Sequence, residues 1–281
     1  MGLIKVKTAI YCSAAAIFLA ACTEMTDAEK NAELGPLNAV DATGISDIML
    51  NLADPEEAVV FFRDALAQNP ERIDLKRNYA KSLVRAKKYA EAALVFEQLI
   101  ETGDATSEDR LAYAEALIRN GAWDEAEVQL DAIPPTVENF KRYFLEALVA
   151  DHNKEWERAD SYYDVARGLT TKPAQVLNNW GLSKLSRRQY NDADKLFKQA
   201  ISADPKMFAA KNNLVLSRGM RKIYELPVMP MTDSERAVLL YNLAREAIKN
   251  GDRDIARGLL ELAIETHPQY FEAAASLLGS L

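Results

Sequence analysis

Apolar side chains recur every three or four positions through most of the chain, a spacing that predicts amphipathic helices. The clearest stretch is 174–207, where Leu177 and Trp180 fall on one face of a first helix and Ala193 and Phe197 on one face of a second. A pair of arginines separates the two patterns, and a proline after the second pattern cannot continue its helix. The stretch therefore predicts two helices joined by a short turn, and no strand pattern competes with it.

The same two-helix unit repeats along the chain. A small residue of the second helix recurs in steps of 34, 34, 33 and 34 residues, as Ala58, Ala92, Ala126, Ala159 and Ala193. An aromatic residue precedes it by three positions in four units, as Tyr89, Trp123, Trp156 and Tyr190. A large residue follows it by four positions, as Phe62, Phe96, Leu130, Tyr163 and Phe197. This constant register predicts ladders of side chains between neighbouring units.

The register is interrupted once. One further step of 34 residues lands on Pro227, within the sequence L-P-V-M-P-M, where a proline pair forbids a regular helix. The sixth unit is therefore predicted to be a first helix only, at about 205–222, followed by a proline-containing break at 223–232. The helical pattern returns over 233–281, with a terminal repeat and a last amphipathic stretch that we expect to cover the open end of the stack.

These features resemble the tetratricopeptide repeat, which has a period of 34 residues and an A-x3-F spacing in its second helix. Ala193 and Phe197 have that spacing. The resemblance implies an all-α solenoid of about six to seven helix pairs over 39–222 and the terminal region, one pair incomplete, with a C-terminal capping helix. The first helices of such a stack line its concave side, where extended or helical peptides bind.

The N-terminus resembles a bacterial lipoprotein signal. Two lysines precede an apolar run at 8–19, and the sequence L-A-A-C ends at Cys22. The run is too short to span a bilayer permanently, so we expect 1–21 to be removed and Cys22 to carry lipid. The alternative is an ordinary secretory signal that leaves Cys22 free. In lipoproteins of this kind, an aspartate directly after the lipidated cysteine commonly retains the protein at the inner membrane. Thr23 stands at that position here, so we expect the outer membrane. Residues 22–38 are polar and predict a flexible tether.

Composition excludes several classes of function. The formal charge of −8, which becomes more negative without the two signal lysines, argues against nucleic acid as a partner. Cys12 lies in the signal, so the mature chain has no disulfide. His152 and His267 have no partners at metal-ligand spacing, and we predict no metal and no cofactor. No phosphate loop or nucleophile motif is present, so we expect neither catalysis nor a small-molecule substrate.

A polar position on the predicted concave side recurs as asparagine. Fourteen residues before Ala92, Ala193, Pro227 and Ala256 stand Asn78, Asn179, Asn213 and Asn242. An asparagine side chain both donates and accepts, so it can bind a peptide backbone without selecting side chains. The alternative is that these amides satisfy neighbouring backbone groups or one another. Three of the four lie in the last units, which favours a groove in the C-terminal half.

One first helix is markedly basic. Arg77, Lys81 and Arg85 lie on the predicted first helix of the second unit. We interpret this helix as having a charged, solvated face rather than a site for an acidic partner.

The whole arrangement resembles the TadD family, the lipoproteins of tight-adherence (Flp) pilus assembly. The shared features are the lipobox, the polar tether, the L-N-N-x-G-L repeat and a terminal Y-N-L-A-x2-A-I-x2-G-D unit. The resemblance implies a periplasm-facing outer-membrane protein that helps to localise or assemble the secretin pore, with the secretin or other pilus-assembly components as partners. The alternative is another periplasmic lipoprotein adaptor, such as a type IV pilotin or a scaffold that recruits envelope hydrolases.

Overall fold

The computed structural model describes residues 44–281. The predicted signal peptide, Cys22 and the tether therefore lie outside the described residues. The chain divides into two compact units, of which the first ends at Ala53 and the second spans Asp54 to Leu281. The described part of the first unit holds one short helix, α1 (Ile45–Asn51).

Every regular element of the second unit is an α-helix, in agreement with the predicted all-α class. The helices are α2 (Pro55–Gln68), α3 (Ile73–Arg85), α4 (Tyr89–Glu101), α5 (Ser107–Asn120), α6 (Trp123–Asp131), α7 (Phe140–His152), α8 (Trp156–Gly168), α9 (Ala174–Ser186), α10 (Tyr190–Ala203), α11 (Phe208–Gly219), α12 (Asp233–Lys249), α13 (Arg253–Thr266) and α14 (Glu272–Gly279). First helices α3, α5, α7, α9 and α12 each pack against the second helix that follows.

The predicted ladders form the core of this unit. The small alanines at the repeat position of α2, α4, α6, α8, α10 and α13 are fully buried, and so are the large side chains four residues later in α2, α4, α8 and α10. The crossing between α9 and α10 is a close one. A Cβ atom added at Gly181 would lie 2.5 Å from Cε1 of Phe197, so only glycine lets these helices approach as they do.

The turn from a first helix to the next element has one geometry throughout. The residue that leaves the helix has a left-handed conformation, with φ between 60° and 84°, at Lys87, Gly121, Lys154, Arg188, Lys222 and Gly251. The next backbone N–H then donates to a carbonyl five residues earlier, as Gln189 does to Lys184 at 2.9 Å. This is the Schellman end of a helix, which satisfies the last carbonyls and reverses the chain.

First helices also contact the first helix of the next repeat. This contact is present between α3 and α5, between α5 and α7, and between α9 and α11. The first helices therefore form one continuous layer of the stack, and a surface that they share runs across several repeats. This layer is the side on which the predicted groove is expected.

The sixth unit lacks a second helix, as its prolines predict. Between α11 and α12 the chain forms an irregular strap, which we define as residues 223–231. Tyr224, Leu226 and Met229 of the strap pack against the buried side chains of the neighbouring helices. The Tyr224 hydroxyl donates to Oδ2 of Asp252 at 2.6 Å. The strap therefore covers apolar surface that a second helix covers in the other units.

The last helix, α14, packs on α13. Its buried Ala274 joins the apolar cluster of α12 and α13, together with Leu277 and Leu278. This is the capping helix expected from the sequence.

Candidate functional site

A wide cavity lies on the first-helix layer. It has a volume of about 950 Å³ and is formed mainly by α5, α7 and α9, with the end of α10 and the residue before α11. Its apolar lining consists of Ile118, Trp123, Phe144, Leu148 and Met207. A second cavity of about 260 Å³ shares Ile118, Phe144 and Leu148 and extends along α5 and α7. We call the two together the α5–α9 groove.

Two neighbouring asparagines of α9 line this groove. Asn178 is only 6% exposed, and its Oδ1 accepts a hydrogen bond of 2.9 Å from Nδ2 of Asn213. Its own amide nitrogen makes no hydrogen bond within the described residues and so has two N–H groups for a ligand. Asn179 donates from Nδ2 to the carbonyl of Gln175 in its own helix at 3.1 Å, which leaves its Oδ1 free to accept.

The predicted asparagines thus do not form one uniform set. Asn213 pairs with Asn178, and Asn242 donates to Oδ1 of Asn212 at 2.8 Å, so both join neighbouring first helices. Each of these two amides thus pairs with an asparagine of the preceding first helix, which corresponds to the alternative considered for them. Asn78 lies on α3, three first helices before Asn179.

Sequence reasoning missed Asn178, although a signal was present. The doublet Asn178-Asn179 recurs as Asn212-Asn213 in the next unit. A helix places neighbouring residues about 100° apart, so a doublet can direct one amide to the next helix and the other to solvent.

The electrostatics of the groove are set by cations at its edges. Arg119 and Lys172 line it, are exposed, and have no ion-pair partner among the described residues. Lys141 also lines the groove but is bound to Glu115 at 2.7 Å. Glu115 and Asp204 are the acids of the lining, and Asp204 accepts from the backbone N–H of Lys206 at 2.9 Å. The groove therefore offers an apolar floor, amide donors and two available positive charges.

The interpretation of Arg77 as part of a solvated face is wrong. Its Nε lies 2.8 Å from both carboxylate oxygens of Asp109, which is fully buried. Asp109 also accepts from the backbone N–H of Thr106 and so caps α5. Arg77 is needed because an uncompensated buried carboxylate would be strongly destabilising.

A polar cluster joins α9, which forms part of the groove, to α8. Asp160 of α8 accepts from Nε1 of Trp180 at 2.7 Å, from Nζ of Lys184 at 2.6 Å and from Nη2 of Arg187 at 2.6 Å. Burial disfavours the charged carboxylate, but the hydrogen bonds from Arg187, Lys184 and Trp180 outweigh it and lower the pKa of Asp160 to about 2.

Asp151 of α7 lies near this cluster, and its pKa is shifted in the opposite direction to that of Asp160. Burial raises the pKa of its carboxyl group above the usual range, against the effect of a 2.5 Å hydrogen bond from Oγ of Ser183. The two carboxyl groups therefore differ because Asp160 has cations beside it and Asp151 is mainly desolvated.

The histidines have structural surroundings. The His152 ring stacks on Trp123 with a centroid distance of 4.3 Å, and Nδ1 of His267 contacts the backbone of Gln269. Within residues 44–281, no cluster of three or more histidine, cysteine or acidic side chains could hold a metal ion. The described helices also include none whose length and apolar character would let it cross a membrane.

Comparison with known proteins identifies the repeat. Residues 50–109 and 86–151 match the family model of the tetratricopeptide repeat. Tetratricopeptide repeat protein 21B of Mus musculus is 34% identical over 85 residues, which are 30% of this chain and 6% of that protein. The chain thus spans only a small part of the length of the curated relatives that it matches.

Two solved structures share the fold. The APC/C hetero-tetramer Cut9-Hcn1 gives a TM-score of 0.57 at 14% identity, covering 83% of this chain and 47% of the other. A tetratricopeptide repeat protein from Parabacteroides merdae gives 0.55 at 14% identity, covering 85% and 96%. The family model thus covers residues 50–151, and the chain has the fold of a tetratricopeptide-repeat solenoid.

Proposed function

We propose that this protein is a non-catalytic, lipid-anchored scaffold of the outer membrane that assists Flp (Tad) pilus assembly by binding the secretin or another assembly component. The observation that carries the binding role is the α5–α9 groove, which combines an apolar floor with amide groups on one helix layer. The lipobox at Cys22 and the terminal repeat motif support the cellular role.

The chemistry of the groove suits a peptide. Ile118, Phe144 and Leu148 offer apolar contact area to alternate side chains of an extended or helical segment. The Asn178 N–H groups and the Asn179 oxygen can pair with main-chain carbonyl and N–H groups, which every peptide has. Affinity thus comes from hydrogen bonds to the peptide main chain together with burial of apolar side chains. The shape of the apolar surface of the groove selects the partner.

The experiment is capture of partners from detergent-solubilised membranes by the full-length protein. The groove variant replaces Gln175 and Asn179 of α9 by alanine. Both side chains line the groove, and the Gln175 amide is a further donor and acceptor for a peptide main chain. Loss of two hydrogen bonds of about 0.5–1.5 kcal/mol each should weaken capture about five- to hundredfold. The melting temperature should stay within a degree or two, because alanine favours the helix and neither side chain is in the core.

The matched control is Gln199→Ala, an exposed amide on second helix α10. It should capture the secretin as the wild type does. If the groove variant also captures at wild-type level, the groove is not the binding site. If a hydrolase or a type IV pilus component is captured in place of the Flp secretin, the pilus assignment is wrong while the scaffold role stands.

A further inference from the structure

An apolar ladder lies on the second helices of the first three repeats, at positions that do not line the groove. Val60, Leu94 and Val128 occupy the same register, two residues after the buried alanine of α2, α4 and α6. Their exposures are 45%, 61% and 62%. In α8, α10 and α13 this position is taken by Ser161, Lys195 and Gly258, so the ladder is confined to the N-terminal repeats.

The ladder needs an explanation beyond packing. Isolated exposed aliphatic residues are common, but three at one register on consecutive repeats form a line of apolar surface that water covers at a cost. The neighbouring helices do not bury these side chains, and the solenoid keeps its core without them. We call this surface, with the acidic residues that border it, the α2–α6 face.

The charges that border the ladder define its partner. Glu57, Glu91 and Glu125 lie three residues before the ladder positions and therefore on the same side of each helix. None of the three carboxylates has an ion-pair partner among residues 44–281. In total α2 carries three carboxylates, α4 three and α6 four, against one guanidinium within these helices, that of Arg63, which is itself 2.9 Å from Asp64. From outside them, Lys88 pairs with Glu56 at 2.7 Å and Arg158 with Glu127 at 3.2 Å, so the ladder-bordering Glu57, Glu91 and Glu125 remain without an ion pair among the described residues.

This concentration is local. Second helix α10 carries two acidic and two basic side chains and is balanced. The three N-terminal second helices hold a larger net negative charge than the formal −8 of the whole chain. A segment that covers the ladder must bring positive charge to its edges, because like charges across an interface cost several kcal/mol.

We propose that the α2–α6 face binds a basic amphipathic segment of a protein partner, with apolar side chains over Val60, Leu94 and Val128 and lysine or arginine beside Glu57, Glu91 and Glu125. An anionic membrane surface does not fit, because its headgroups would meet the carboxylates. A second copy in the same orientation does not fit either, since two acidic faces would repel each other. This site is independent of the α5–α9 groove and of the partner proposed for it.

The test uses the full-length protein and a helical 14-residue peptide of leucine and lysine with its leucines on one face. A second peptide carries glutamate in place of each lysine. We expect the lysine peptide to bind at least about tenfold more tightly than the glutamate peptide. The triple variant V60S/L94S/V128S should lose about tenfold or more in affinity for the lysine peptide, because the apolar contacts are removed.

The control triple is V165S/I255S/L262S, which alters aliphatic residues of 38%, 46% and 39% exposure on second helices outside this face. It should bind as the wild type does. Substituting Glu57, Glu91 and Glu125 by glutamine should weaken binding and reduce its dependence on salt between 50 and 300 mM.

Several results would overturn the proposal. One is equal affinity of the wild type for the lysine and glutamate peptides. Another is an equal loss of affinity for the lysine peptide in the V60S/L94S/V128S and V165S/I255S/L262S variants. A third is ladder-dependent binding of phosphatidylglycerol vesicles, measured by co-sedimentation, which would make the face a membrane site. A dimer that is present in the wild type and absent from the ladder variant in sedimentation velocity would make it a self-association site.

Discussion

Single side chains decide how closely the helices of this solenoid approach. Gly181 lets α9 cross α10 over the ring of Phe197, which is fully buried and would lie 2.5 Å from a Cβ atom added at this position. At Gly258 of α13, by contrast, an added Cβ would have no atom within 4 Å. The two helical glycines therefore have opposite expected responses to the same substitution.

Gly181→Ala should destabilise the protein by about 1–3 kcal/mol, because the added methyl group overpacks the crossing by more than the gain in helix propensity. Gly258→Ala should instead stabilise it by about 0.5–1 kcal/mol. Urea unfolding followed by circular dichroism measures both. An unchanged or higher midpoint for Gly181→Ala would show that the crossing can relax and that Phe197 does not hold it.

At the scale of elements, an arginine at the end of a first helix joins each of two C-terminal repeats to the one before. Arg187 lies over the Trp156 ring at 5.2 Å and binds Asp160, and Arg221 lies over Tyr190 at 5.6 Å and binds Asp194. Both sets repeat at an interval of 34 residues. These charge pairs, together with hydrogen bonds such as that from Ser183 to Asp151, fix the register of neighbouring helix pairs.

Asp160→Asn should lower the free energy of unfolding at pH 7 by about 1–3 kcal/mol, because three donors lose a charged acceptor that is partly screened by solvent. The pKa of Asp160 is about 2 in the folded protein against an ordinary 3.8, so its stabilisation is present above 3.8. It is lost as the pH falls towards 2. The difference between wild type and variant should therefore shrink between pH 4 and pH 2.

Urea unfolding at pH 7, 4 and 2 measures this convergence. Asp192→Asn is the control, since Asp192 binds Lys195 at 3.1 Å in an exposed pair and should change stability by less than about 0.5 kcal/mol. A constant difference between Asp160→Asn and wild type at all three pH values would mean that the charge of Asp160 is not what matters.

At the scale of the whole molecule, the strap at 223–231 interrupts the array but does not end it. Met229 contacts the cluster of α9, α10 and α11, while Tyr224 and Leu226 contact the cluster of α12 and α13. The α5–α9 groove and the α2–α6 face both lie N-terminal to the strap. A stack with these two proposed binding surfaces would hold two proteins at once.

The anchor is tested by Cys22→Ser. Without the thiol no lipid can be attached, so the variant should leave the outer-membrane fraction or remain unprocessed, since stable membrane binding requires more than one acyl chain. Cys12→Ser, which changes the other cysteine within the predicted signal, should fractionate as the wild type does. Mass spectrometry of the mature N-terminus checks the result. An unmodified Cys22, or a Cys22→Ser protein held as tightly as before, would contradict the lipoprotein proposal.

The sequence by itself determined the repeat and its interruption. The 34-residue register of small and large side chains specifies which faces must be buried, and the prolines near Pro227 remove a helix through local sterics alone. These properties are local or periodic, so they can be recognised without knowing which residues meet in space.

Only the tertiary structure decided which polar groups are available to a partner. Asn213 and Asn242 occupy the same register as Asn179, yet each is hydrogen-bonded to the preceding first helix and Asn179 is not. The sequence around Arg77 predicts a solvated side chain, but in the structure Arg77 is paired with Asp109, which lies 32 residues away in sequence. Whether a donor is free depends on the distance and angle to atoms remote in sequence, and those are fixed only when the helices stack.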